Sequence, residues 1–143
     1  MTNAPYLLPQ ARAGQRLGHG QLVDSMVNDG LWDIYNDFHM GMTGELVHQK
    51  YEISREEQDE YAVQSHQKAA AAEAAGRFDA ERIPVMIPQR KKDPIAFTTD
   101  ETVRADASVE GMAKLRPAFK REGGSVTAGN ASGLNDAAAD CAT

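Results

Sequence analysis

The chain has a single cysteine, Cys141, third from the end of its 143 residues. A thiol nucleophile needs a cation, a helix N-terminus or a base to hold it as thiolate. Cys141 instead has Asp140 beside it, which would raise its pKa, and chain ends fray. It reads as an incidental thiol, and covalent catalysis by this chain alone is not expected. One cysteine also excludes an internal disulfide framework, so a reducing, cytoplasmic setting is expected. Long apolar runs are missing too: nothing approaches a membrane span, and a water-soluble chain is expected. The opening MTNAPYLLPQARAG lacks the basic and apolar regions of a signal peptide. Basic excess is absent. A net charge of -6 argues against a general nucleic-acid binder. Hydrophobic residues reach 41%, but much of that is alanine, so one domain with a thin core is the expectation.

What is present reads as an α+β order. Residues 1–20 look like an extended loop rich in Gly, Pro and Arg. Val23, Val27, Leu31 and Tyr35 then recur at four-residue spacing, predicting a helix from Gln21 to about Phe38 that Gly30 weakens. Thr43 is the expected N-cap of a short helix over Gly44–Tyr51. Ser54-Arg55-Glu56-Glu57 forms a capping box that opens a helix running to Gly76, a natural stop. Ile83, Val85 and Ile87 alternate between prolines, and Ile95-Ala96-Phe97-Thr98 follows a turn, predicting a small hairpin. Ser108 caps a further short helix, and Ser125-Val126-Thr127 reads as a strand after a Gly123-Gly124 turn. No internal repeat is seen.

Few residues carry chemistry by themselves. His19, His39, His48 and His66 do not pair in metal-ligand spacing, so no metal site is expected. His39 stands between Phe38 and Met40 at a break after the apolar pattern. It suits the wall of an apolar slot, and a structural histidine fits equally. Gly129-Asn130-Ala131-Ser132-Gly133 is a small-residue loop that a ligand chain could approach closely, though a plain turn looks the same. The segment from Glu45 into the long helix imitates a helix-turn-helix. Its would-be recognition helix opens with Glu56, Glu57, Asp59 and Glu60, which would repel DNA phosphates.

Six stretches stand out in order: MTNAPYLLPQARAG, DGLWDIYNDFHMGMTGE, ISREEQDEYAVQSHQKAAAA, GRFDAERIPVMIPQR, MAKLRPAF and SVTAGNASGLNDAAA. Taken together they resemble the thiolase (acetyl-CoA acetyltransferase) family. The resemblance covers essentially the whole chain, and TAGNASGLND after KLRPAF is its most specific part. It implies an α+β, thiolase-like loop domain (helices plus a small β-hairpin) over residues 1–116. Residues 117–143 would begin the return into the N-terminal thiolase domain. Residues 8–26 would then be an assembly loop. Leu31, His39 and Met40 match positions that wall the pantetheine and adenine channel. Arg104 matches a cation near the nucleotide end, where CoA's phosphates make a guanidinium useful. Ala118 and Phe119 match apolar contacts to adenine and pantetheine, and Ala128 and Ser132 match contacts to the pantetheine amides.

Two departures stand out. Gly111 occupies a position that is often serine in relatives and able to contact CoA. The closing NDAAADCAT departs from the family's NDGAAAV, putting Asp140 where burial is implied and costly. The resemblance places the family's acylated cysteine upstream of this span, and its activating histidine, second cysteine and Asn-containing motif downstream. The expectation is therefore a fragment of an acetyl-CoA C-acetyltransferase that supplies CoA and subunit contacts but no catalytic residue. Coenzyme A thioester enters as substrate, with no resident cofactor. The partners implied are the remaining thiolase segments and further copies in a homo-oligomer. The alternative is a free-standing acyl-CoA-binding or assembly protein. Apolar faces around Leu31–Phe38 and Val126 are expected to be exposed when the chain stands alone.

Overall fold

A computed structural model describes residues 1–136; the expectations about Asp140 and Cys141 lie outside the described residues. The chain divides into two compact units. One comprises Met1–Ser54 together with the chain from Arg116, and the other is Arg55–Leu115.

In the first unit, β1 (Tyr6–Leu7) pairs antiparallel with β2 (Val23–Asp24). The helix expected over residues 21–38 is not formed. One π-helical turn, Met26–Leu31, gives way to β3 (Trp32–Asp33), which pairs antiparallel with β4 (Phe38–His39). Asp33 explains the break. Its Oδ1 accepts from the amides of Tyr35 (2.9 Å) and Asn36 (3.1 Å), and its Oδ2 from Asn36 Nδ2 (2.8 Å). These local bonds offer the backbone an alternative to the helix. Asp37, at φ 58°, completes a turn that no helix could continue. Ile34 and Tyr35 are consequently exposed, while Leu31 and Phe38 are half-buried.

Helix α1 (Met40–Tyr51) follows at once and starts earlier than expected. His39, not Thr43, is its N-cap: Nδ1 accepts from the Gly41 amide at 3.0 Å. The buried face is unusual. Leu46 and Val47 are exposed, and Glu45 is buried between Gly41, Gly44 and His48. The expected strand at Ser125–Thr127 is also absent, for a reason that emerges from its hydrogen bonds below.

The second unit follows the sequence closely. Helix α2 spans Arg55–Ala74. Beyond its end the Gly76 amide donates to Glu73 O and the Arg77 amide to Ala72 O, with Gly76 at φ +61°. This is the Schellman closure that glycine permits. Strands β5 (Val85–Ile87) and β6 (Ile95–Phe97) form the hairpin, with Met86 opposite Ala96. Helix α3 (Val109–Ala113) is capped by Ser108, whose Oγ accepts from the Gly111 amide. Arg55 ties α2 to α3: Nε binds Asp59 at 2.7 Å, and Nη2 binds the carbonyls of Met112 (2.7 Å) and Leu115 (3.2 Å). Asp59 is thus turned inward and does not join the exposed acidic face of Glu56, Glu57 and Glu60.

Among the described residues only Val63 and Met112 are buried hydrophobic side chains. Ile83, Val85, Met86, Ile87, Ile95 and Phe97 are all exposed, so the hairpin shows apolar side chains on both faces. A two-stranded hairpin is marginal without a covering surface. Light scattering of the 143-residue chain is expected to report species above the 15.5 kDa monomer. Replacing Ile83 and Ile95 by threonine should shift the distribution toward monomer. A clean monomer with one cooperative thermal transition would contradict this expectation.

Candidate functional site

The first unit gathers most of the residues expected to contact a ligand. His39 ends β4 and caps α1, which fixes its ring through Nδ1. With Nδ1 accepting, the neutral imidazole carries its proton on Nε2. The ring stacks on Phe119, with centroids 4.8 Å apart and planes inclined by 30°. Gly41 makes this possible. A Cβ there would collide with the Phe119 ring, so only glycine lets the phenyl group lie on the first turn of α1.

Phe119 is held through its neighbour: the Ala118 amide donates to Val126 O at 2.9 Å. That bond leads into the turn at residues 125–131. Glu45, 1% exposed, receives this turn from α1. The Ser125 amide lies 2.9 Å from both carboxylate oxygens, the Val126 amide 2.9 Å from Oε1, and Ser125 Oγ 3.1 Å from Oε2. Burial alone would raise the Glu45 pKa. The amides of Val126 and Ser125, the Ser125 hydroxyl and the nearby His48 outweigh it and hold the carboxyl below its ordinary 4.5.

Asn130 closes the turn. Its Oδ1 accepts from the Thr127 amide (2.7 Å), and its Nδ2 donates to Ser125 O (2.9 Å). Thr127, fully buried, accepts through Oγ1 from the Gly129 and Asn130 amides. Side chains therefore satisfy the amides that a strand would have offered to a neighbour, which is why Ser125–Thr127 forms no ladder. Ala128 and Ser132 emerge exposed around this buried framework, and Ala118 and Met40 are exposed as well.

Hydrogen bonding and ring contact thus link His39, Ala118 and Phe119 to the turn that carries Ala128, with Ser132 one residue beyond it. Met40 adjoins His39, and Leu31 precedes Trp32, the cross-strand partner of His39. Arg104 belongs to the second unit, where its side chain is exposed and its amide donates to His66 Nδ1 at 3.2 Å. Gly111 sits in the first turn of α3. Glu45 and Gly41 were not singled out from the sequence as parts of a site, and Asn130 was named only as a member of the small-residue loop. The only hint was a carboxylate flanked by small residues on one helical face. Among the described residues no three His, Cys, Asp or Glu side chains converge as a metal site, and no helix is long and apolar enough to cross a membrane.

The model of the thiolase N-terminal domain matches residues 1–141. The chain belongs to the thiolase family. Two relatives named acetyl-CoA acetyltransferase, from Chromobacterium violaceum and Pseudomonas aeruginosa, are 60% and 58% identical to it over 139 residues. Each alignment covers 97% of this chain and 35% of the relative. The crystal structure of the Bacillus anthracis acetyl-CoA acetyltransferase superposes with a TM-score of 0.84 at 48% identity, covering 92% of this chain and 33% of that one. The acetyl-CoA acetyltransferase structure from Syntrophomonas wolfei gives 0.89 at 50% identity, covering 94% and 33%. The chain thus spans about a third of the length of these relatives. The expected fold class is corrected in one respect: the matching model is that of the N-terminal domain, not of a loop domain. A thiolase-like fold of helices and small sheets stands.

Two outcomes follow from this geometry. Gly41→Ala should force the Phe119 ring off His39 and cost about 1–3 kcal/mol of stability by overpacking. Urea unfolding reads the cost, and the His39 ring proton shifts read the lost stack. For pH, Glu45 has a depressed folded pKa, so its contribution is present above 4.5 and is lost as pH falls through the lower folded value. Between about pH 6 and about pH 3, Glu45→Gln should therefore lose less stability in urea than the parent chain.

Proposed function

We propose that this chain supplies the CoA-holding and subunit-contact part of an acetyl-CoA C-acetyltransferase, the enzyme that condenses or cleaves acyl-CoA thioesters. The observation that carries the reading is the His39–Phe119 stack, joined to a rigid small-residue turn in a chain this similar to acetyl-CoA acetyltransferases. An aromatic pair offers a flat apolar wall to adenine or the pantetheine stem. Leu31, Met40 and Ala118 extend that wall. Ala128 lets a ligand chain approach the backbone, and the Ser132 hydroxyl suits a pantetheine amide. Arg104 suits a phosphate of the nucleotide. On this reading residues 8–26 contribute to assembly, and the enzyme is a cytoplasmic homo-oligomer.

In the full reaction an acetyl group passes from the CoA sulfur to a cysteine thiolate. A second acetyl-CoA then gives up an α-proton and attacks the acyl carbon, releasing the cysteine. On the resemblance none of these 143 residues performs those steps; this chain's residues bind and orient. Pure chain is expected to leave acetoacetyl-CoA uncleaved. In a titration of the ¹⁵N-labelled chain with coenzyme A, weak binding with amide shifts at residues near His39, Phe119, Ala128 and Ser132 is the expected result. Absence of shifts there would overturn the reading. A dissociation constant of about a micromolar would instead favour a free-standing acyl-CoA-binding protein.

A further inference from the structure

Three successive amides in the first unit, those of Ser125, Val126 and Thr127, are served by side chains instead of a strand. Two of the three converge on one carboxylate, which arrives from α1 across 80 residues of sequence. The Ser125 hydroxyl adds a further donor. Among the described residues no salt bridge to Glu45 is formed; with His48 nearby, its charge is met directly by backbone amides and the Ser125 hydroxyl, as in an anion-binding nest. The fit is close. Gly44 and Gly124 flank the carboxylate; a Cβ at Gly124 would stand 3.1 Å from Glu45 Oε1 and collide with Lys120 O, and one at Gly44 would stand 2.9 Å from Val126 Cγ2.

We propose that Glu45 is a positioning residue for the thioester-binding surface, acting through the Ser125–Ala131 turn to set where Ala128 and Ser132 meet the ligand. This rests on the functional reading above. Glu45 itself faces the turn, not the ligand: it is 1% exposed, whereas Ala128 and Ser132 are exposed. A carboxylate suits the task because it accepts everywhere and donates nowhere. In glutamine one oxygen becomes an NH2 group. Because the Ser125 amide points at both oxygens, either placement sets an N–H against an N–H. Val126 O also anchors the Ala118 amide, so a shift of the turn reaches the residue beside Phe119.

The test uses the full 143-residue chain, with coenzyme A as probe and Glu45→Gln as the variant. Ser125→Ala, which removes only the hydroxyl donor, serves as a milder second variant should the first fail to fold. The expected result for Glu45→Gln is amide exchange at Ser125 and Val126 faster by about tenfold. Its CoA dissociation constant should be weaker by at least about threefold. Ser125→Ala should move the affinity in the same direction by less. Unchanged exchange in Glu45→Gln overturns the inference. So does faster exchange with unchanged affinity, which would make Glu45 structural only. If Glu45→Gln does not fold, unchanged affinity in Ser125→Ala overturns it. Loss of CoA shifts in the unaltered chain is a separate result that removes the functional reading itself, and the ligand-positioning role with it.

Discussion

The Glu45 carboxylate, buried on α1 and surrounded by the amides of Ser125 and Val126, is the constraint that organises the first unit. A buried carboxylate without partners would cost several kcal/mol or take up a proton. Here three donors satisfy it, and each is a group that would itself be costly to leave unpaired. The two needs cancel only in one geometry, which gives the contact its specificity. The glycines of α1 belong to the same solution: Gly44 admits Val126, and Gly41 admits Phe119 one turn earlier. The helix therefore turns its small and polar side inward and leaves Leu46 and Val47 exposed.

The second unit uses a comparable device with the charge reversed. The Arg55 guanidinium takes the carboxylate of Asp59 and the carbonyls of Met112, in α3, and of Leu115, just beyond it. Around it only Val63 and Met112 are buried apolar side chains. The first unit is thus organised by the buried Glu45 and the second by the buried Asp59 with the half-buried Arg55, together with caps and with little apolar area to add. An alanine-rich composition leads to this outcome, because alanine buries little surface however well it is packed.

Elements whose signals are local were legible in the sequence. Ser54 before Glu57, Gly76 after the alanine run and Ser108 before Gly111 mark helix ends by chemistry within a few residues, and the hairpin alternates between prolines. Where a competing local bond or a distant partner decides, the sequence misleads. The spacing of Val23, Val27, Leu31 and Tyr35 is helical, yet Asp33 captures the amides of Tyr35 and Asn36 and turns the chain into a hairpin. Ser125-Val126-Thr127 has strand composition, yet its amides go to Glu45 and Asn130. No periodicity reveals a partner 80 residues away. His39 shows the mixed case. Its position at a break was visible, but its bond to Gly41 and its stack on Phe119 depend on the fold.

On the function proposed above, His39 would combine a structural and a ligand-facing role in one residue. Its Nδ1 is committed to the α1 cap, and one ring face is committed to Phe119. Those commitments leave Nε2 and the other face, in a half-buried ring whose orientation no longer needs to be purchased by a ligand. A side chain already fixed loses little entropy on binding, so contacts made by it count more fully toward affinity. The same holds for Ala128 at the edge of a turn fixed by Thr127 and Asn130. The buried polar groups do not compete with the exposed residues around them. They are the reason exposed residues in so thinly packed a chain can hold a defined shape.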